Sequence, residues 1–286
     1  MALAALPRGV LLGVFFVDTR HNSQARQQAR HRRWALTLAP IVLLSVLGLW
    51  RLVVAVGDYP AFLLPTPARV WLRFTQVWRD GTLLMHTLVT LREVLGGLAL
   101  GLTVAVLLGY ALAKSPLLET ILSPYLVASQ AIPIVALAPL LVIWFGPGSA
   151  SKVLVCALTL FFPVLVNTIV GVRSVDAELH DLLRSLEATP AQVVRYLELP
   201  AALPVLFGGL KVGATLSVIG AVVSEFVSSD RGLGFLVNLA RGLFDTPLMF
   251  VALFTLMVMA LGLYGLVSLV ESQVLRWRVP RSHSGL

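Results

Sequence analysis

Residues 152–204 read KVLVCALTLFFPVLVNTIVGVRSVDAELHDLLRSLEATPAQVVRYLELPAALP. After Lys152 no charge appears until Arg173, and an α-helix needs about 20 apolar residues to cross a bilayer. Residues 152–172 therefore read as a membrane span. The composition then changes. Arg173, Asp176, Glu178, Asp181, Arg184, Glu187, Arg195 and Glu198 crowd into one segment before the chain turns apolar again. The chain leaves the membrane for one organised polar excursion and goes back in.

The same alternation runs along the whole chain. Of its 286 residues 58% are hydrophobic and only 13% charged, where a soluble domain carries about a quarter. Six stretches are long enough to span, roughly 34–56, 87–113, 121–145, 152–172, 204–227 and 248–270. The expected fold is all-α, a polytopic bundle of about six transmembrane helices. Residues 1–17 are apolar but broken by Pro7 and Arg8, and they lack the charged start of a signal peptide. They read as an interfacial tail or as the product of a start codon placed too early. The segment DTRHNSQARQQARHRR after them holds five Arg and one Asp, and reads as a basic anchor beside the first span.

Charge gives an orientation. With the N-terminus inside, the inner segments carry twelve Arg and Lys and the outer segments six. That bias favours cytoplasmic N- and C-termini, and hence a basic cytoplasmic tail at 1–33 and a second tail at 271–286. The first outer loop, 57–86, contains LLPTPARVWLRFTQVWRD. Pro67 can open a short helix there with Val70, Trp71, Phe74 and Trp78 on one side, a pattern suited to the membrane interface. The net charge of +8 fits cytoplasmic flanks rather than a nucleic-acid surface. The lone Cys156 excludes an internal disulfide, and the five histidines show no metal-ligand spacing.

Inside the spans, Gly97, Gly101 and Gly109 offer a close-packing face. Pro133, Pro139 and Pro163 are expected to interrupt helices. Polar residues at membrane depth mark pathways, and Gln130, Asn167, Thr215, Ser217 and Ser224 are the candidates. Side chains of these types more often hydrogen-bond between helices. Lys211 is expected to snorkel to the inner surface and Glu225 to lie near water at the outer end. An ion-coupled secondary transporter would show inverted repeats or buried ionisable groups, and neither is evident in the sequence.

Leu179, Leu182, Leu183 and Leu186 form one apolar stripe at helical spacing, with Asp176 placed to cap it. Thr189, Pro190 and Gln192 read as N-cap, N1 and N3 of a second helix, with Val193, Val194 and Leu197 as its apolar face. Pro200 and Pro204 are expected to close the unit. Two short helices joined by a turn are suited to fill a groove in another protein, or to pack as an elbow on their own bundle.

This segment resembles the coupling loop, or E-A-A motif, of ATP-binding-cassette importer permeases. Asp181-Leu182-Leu183 stands for E-A-A, Glu187 for the motif glycine three residues on, Leu197 for its isoleucine and Leu199-Pro200 for Leu-Pro. In the family the glycine marks the turn between the two helices, so Glu187 is where this chain departs. LLPTPARVW, HTLVTLREVLGGLALG, AIPIVALAPLLVIWFGPG, FFPVLVNTIVGVRSVD, LPAALPVLFGGLKVG and SEF followed by GLG extend the likeness over roughly residues 60–278, to permeases of the nitrate, sulfonate and taurine type.

The resemblance implies a permease in the cell inner membrane, with two copies forming the pore by alternating access. Partner ATPase subunits would bind ATP and Mg and grip the coupling loop at 173–203. Asp181, Leu182, Leu183, Leu186, Glu187, Ala188, Val194, Leu197, Leu199 and Pro200 would be the coupling residues. A periplasmic or lipid-anchored binding protein would deliver the solute: nitrate, sulfonate, taurine or similar, or a vitamin or thiamine-precursor pyrimidine. The chain itself is expected to hold no cofactor, no metal and no catalytic residue. Its nearest approach to a phosphate loop, GYALAKS at 109–115, lacks the glycine before Lys114 and ends a span instead of following a strand.

Overall fold

The structure is a computed structural model that describes residues 40–42 and 44–278. The expected apolar stretch 1–17, the basic segment after it and residues 279–286 lie outside the described residues. The chain forms two compact units, Met1–Ala68 and Arg69–Leu286. In the first, α1 (Pro40–Gly57) is 18 residues long, about 27 Å at 1.5 Å per residue, close to the hydrocarbon thickness of a bilayer.

Most of α2 (Pro67–Arg79) belongs to the second unit. Pro67 opens it as the sequence suggested, and Val70 and Val77 are buried. Trp71, Phe74 and Trp78 stack in series, with ring centroids 5.4 and 5.8 Å apart, while both tryptophans stay exposed. Arg73 Nε donates to Asp245 at 2.9 Å, tying α2 to the turn before the last span. The second span, α3 (Thr82–Lys114), starts five residues before the expected 87 because Thr82–His86 continue the helix after the left-handed turn at Gly81.

The expected single span 121–145 is two helices, α4 (Pro116–Gln130) and α5 (Ile134–Phe145), bent by 96°. The break is at Pro133, which has no N–H to continue the ladder and holds its predecessor out of the helical region. Pro139 and Pro163, expected to interrupt their spans, lie inside intact helices. After α5 come α6 (Ser149–Arg173), α7 (Ala177–Ser185), α8 (Pro190–Val193), α9 (Leu199–Val227), α10 (Leu233–Gly242) and α11 (Thr246–Val274). No strand occurs among the described residues.

Three helices make the core, and their register fixes the topology. A side chain at Gly97 would overlap Cys156 Cβ, and one at Gly109 would lie 2.7 Å from Thr168 Cβ. Contacts on α3 and α6 thus advance together, so the two run parallel, and the bent pair α4–α5 must carry the chain back between them. It makes one crossing. On α9, Gly171 meets Ala202 while Gly220 meets Cys156 and Thr159, so α9 runs antiparallel to α6. Lys211 of α9 pairs with Glu271 at the close of α11, which returns α11 to the end where α9 begins. The bundle therefore has a loop end, holding Lys114, residues 174–198 and Glu271, and a far end holding Thr82, Ser149 and Val227. Cys156 of α6 is buried at the seam with α3 and α9.

Candidate functional site

The excursion at the loop end begins with α7. Asp176 occupies its N-cap position but makes no side-chain capping bond. Leu183 is half-buried, while Leu179, Leu182 and Leu186 face outward, Leu182 54% and Leu186 68% exposed. The leucine stripe is split: one residue holds α7 to its own chain, and three are left uncovered. Asp181 and Arg184 form an exposed pair at 3.7 Å.

The turn after α7 resolves the departure at the motif glycine. Glu187 has φ 52°, the left-handed conformation that glycine adopts without steric cost. Glu187 N–H donates to Arg184 O and Ala188 N–H to Leu183 O, both at 3.0 Å. These are the two bonds of a Schellman closure. The glycine's shape is kept without the glycine.

Thr189 then caps the next helix. Gln192 N–H donates to Thr189 Oγ1 at 3.4 Å and Thr189 N–H to Gln192 Oε1 at 2.7 Å, the expected capping box. The expected closure at Pro200 and Pro204 does not occur. One continuous helix runs from Pro190 to Val227, and the second helix of the excursion is the leading end of the fifth span. The reason is local. Val194–Glu198 form a π turn, in which Leu199 N–H reaches back to Val194 O. A proline ring clashes with the carbonyl four residues earlier, and widening the helix just ahead of Pro200 makes room for it. Val194, Leu197, Ala188 and Pro200 are half-buried along this stretch, and Leu199 is exposed.

Two buried charge clusters flank the bundle, and the sequence reading missed both. At the loop end Glu198 is 1% exposed. Its Oε2 accepts from Tyr110 Oη at 3.0 Å. Its Oε1 accepts from Lys114 Nζ and lies 3.2 Å from His180 Nε2. Nothing in the local sequence around Glu198 signals this, because its partners lie on α3 and α7.

At the far end, Glu225 was expected near water and is 1% exposed; Glu93 is 2% and Lys152 5% exposed. Thr90 Oγ1 donates to Glu225 Oε1 at 2.7 Å, and Gly234 N–H donates to Glu225 Oε2. Lys152 Nζ lies 3.4 Å from Glu93 Oε1 and donates to Ser229 Oγ at 2.7 Å. Leu233 N–H reaches Thr90 Oγ1 at 2.7 Å and Gly232 N–H reaches His86 Nδ1 at 2.9 Å. Gly232, at φ 110°, leaves no space for a side chain because the Glu225 carboxylate occupies it. The cluster clasps α3, α6 and α9 to the turn before α10. A signal was present: His86, Thr90 and Glu93 stand at i, i+4 and i+7 on one face of an apolar helix. Buried ionisable groups, not evident in the sequence, are therefore part of this fold.

The five pathway candidates are not brought together, and no hydrogen bond joins any two of them. Asn167, Thr215 and Ser224 each donate to a carbonyl of their own helix, Pro163 O, Val212 O and Ala221 O. Ser217 reaches Val94 O of α3 at 3.4 Å, the one bond between helices. Gln130 is exposed at the close of α4.

A multi-pass helix bundle whose one organised excursion presents uncovered leucines has the architecture of a membrane permease subunit. A scan of known families gives the class its identity. The chain belongs to the family described as binding-protein-dependent transport system inner membrane component, which matches residues 97–276. It is a permease of the ATP-binding-cassette importer type, a transport subunit of the inner membrane.

Its relatives include the riboflavin transport system permease protein RibX of Chloroflexus aurantiacus, 50% identical over 259 residues, 91% of this chain and 96% of that one. The formylaminopyrimidine transport permease protein ThiX of Halalkalibacterium halodurans is 33% identical, covering 82% and 93%. The putative aliphatic sulfonates transport permease protein SsuC of Bacillus subtilis is 30% identical, covering 90% and 94%. Among solved structures, a chain of an amino acid ABC transporter crystallised with histidines matches with a TM-score of 0.51 at 22% identity, over 70% of this chain and 97% of that one. That likeness supports the fold.

Proposed function

We propose that this chain forms the translocation pathway for a flat heteroaromatic vitamin of the riboflavin class, as a homodimer driven by separate ATPase subunits. The carrying observation is the 50% identity to a riboflavin permease across nearly the full length of both chains. No lysine offers a free ammonium to nitrate or a sulfonate: Lys114 faces Glu198, Lys152 faces Glu93 and Lys211 faces Glu271.

Both termini are cytoplasmic in this reading, which puts the loop end at the ATPases. Residues 173–203 form the coupling segment. Leu182 and Leu186, with Asp181, Glu187 and Leu199 around them, enter a groove in the ATPase, while Leu183, Ala188, Val194, Leu197 and Pro200 hold the segment's shape. ATP closes the ATPase pair, the segment moves with it, and the bundle switches the side to which the solute cavity opens. Gln130, Asn167, Thr215, Ser217 and Ser224 are the polar residues proposed for that cavity.

The test is uptake. A riboflavin-requiring bacterium without its own importer would receive this chain with its ATPase and binding protein. Accumulation of labelled riboflavin, unaffected by excess taurine, is expected. No accumulation, or displacement by taurine, would overturn the solute. Leu186→Glu should insert normally yet lose the co-purifying ATPase; undiminished ATPase recovery would overturn the docking role.

A further inference from the structure

We propose that Glu198 is the positioning residue that makes the coupling segment and the second span move as one body. The inference rests on the reading of residues 173–203 as the ATPase-docking segment and adds the route by which its motion enters the bundle.

Three elements meet at this carboxylate. Tyr110 and Lys114 are one turn apart on the last two turns of α3 and so share a face. His180 lies in the first half of α7, the helix with the uncovered leucines. Glu198 itself ends the π turn that joins α8 to α9. Each element places a hydrogen-bonding atom on the same buried group: Tyr110 Oη on Oε2, and Lys114 Nζ and His180 Nε2 on Oε1.

The other links around the excursion do not do this. Schellman and capping-box bonds lie within residues 182–192. Arg173 pairs with Glu119 at 2.6 Å and so links α6 to α4, bypassing α7. Among the described residues, Glu198 alone bonds α7, α9 and α3 together.

The π turn explains why such a link is needed. A wide turn carries one residue more than the α-helix allows and interrupts its ladder, so torque applied at α8 can be absorbed there before it reaches α9. A carboxylate at the end of that turn, held from α3 and α7, clamps the turn from outside. Removing one partner of a buried charged group leaves the others strongly unbalanced, so the link is sensitive to a change that hardly alters volume.

The experiment uses the assembled complex of chain, ATPase and binding protein in lipid nanodiscs. Spin labels go on cysteines at Ser185, at the close of α7, and Leu107, exposed on α3; native Cys156 is buried. In the unmodified background the distance between labels should stay constant when ATP binds, because both elements move together. In Glu198→Gln it should change with ATP, and the ratio of solute-stimulated to basal ATP hydrolysis should fall about tenfold. Half-saturation by loaded binding protein and ATPase recovery should stay within about twofold. Glu198→Asp should recover part of the ratio.

An unchanged label distance together with an unchanged hydrolysis ratio in Glu198→Gln overturns the proposal. So does a loss matched by equal loss of bound ATPase. If Glu198→Gln fails to reach the membrane, Tyr110→Phe replaces it, with a fall of about threefold expected and none overturning the idea. ATPase absent from the unmodified chain would instead remove the docking reading itself.

Discussion

Glu187→Gly isolates the cost of keeping a glycine's shape with another residue. At φ 52° the Cβ of an L-residue crowds its following carbonyl, at about 1–2 kcal/mol. Glycine removes that cost but gives the unfolded chain more freedom, worth about 0.4–1 kcal/mol in the opposite sense. The net is a turn more stable by about 0.5–1 kcal/mol. The amides that sense it are those of Glu187 and Ala188, whose bonds to Arg184 O and Leu183 O close the turn. Their protection against hydrogen exchange should rise about twofold to fivefold in Glu187→Gly, at 1.4 kcal/mol per factor of ten. Glu187→Val, β-branched and less tolerant of positive φ, should lower protection, and Glu187→Asn should fall between. The side chain is exposed, so no buried contact competes with the backbone term. Equal protection in the glycine and valine variants would refute the strain argument.

The core and the far-end clasp give two further predictions. Gly97→Leu would drive a side chain into Cys156 and should cost well over about 3 kcal/mol, read as loss of a monodisperse peak after extraction. Gly265→Leu, where nothing lies within 4 Å, should extract normally. Lys152→Met strips Glu93 of its ammonium and should cost about 3–5 kcal/mol, read as a lower midpoint of thermal unfolding in detergent. Adding Glu93→Gln to it should restore a substantial part, since one fewer buried charge is left uncompensated.

What the sequence made legible follows from what is local. Spans are set by runs of apolar residues, and five of the six appear as unbroken helices over the expected stretches, the fifth starting early at Pro190. The capping box at Thr189 and the helix start at Pro67 are encoded within four residues and appear as read. The failures are those of long range. Glu198 and Glu225 carry no local mark of burial; their partners stand 84 and 135 residues away. Pro133 breaks its helix while Pro139 and Pro163 do not, because a proline's effect depends on whether neighbours leave its unbonded carbonyl room. The motif glycine was legible as a shape, and the chain kept the shape with Glu187, which no propensity for glutamate would suggest.

If residues 173–203 dock the ATPase as proposed, the continuity of α8 with α9 changes what that segment can do. An elbow of two helices closed by Pro200 and Pro204 would flex at its exit, and movement of the docked end would be lost there. Instead the segment is the first part of a helix of 38 residues, about 57 Å long, whose far part carries Glu225. A force at α8 acts on a lever with one compliant turn, at Val194–Glu198, and that turn is clamped from α3 and α7. The far end of the same lever is held by the Glu93, Lys152 and Glu225 cluster. A lever held at one end and driven at the other tilts about the held end. Tilting α9 against α6, along the close seam from Gly171 and Ala202 to Gly220 and Cys156, is therefore the motion this architecture favours over a local rearrangement of the loop.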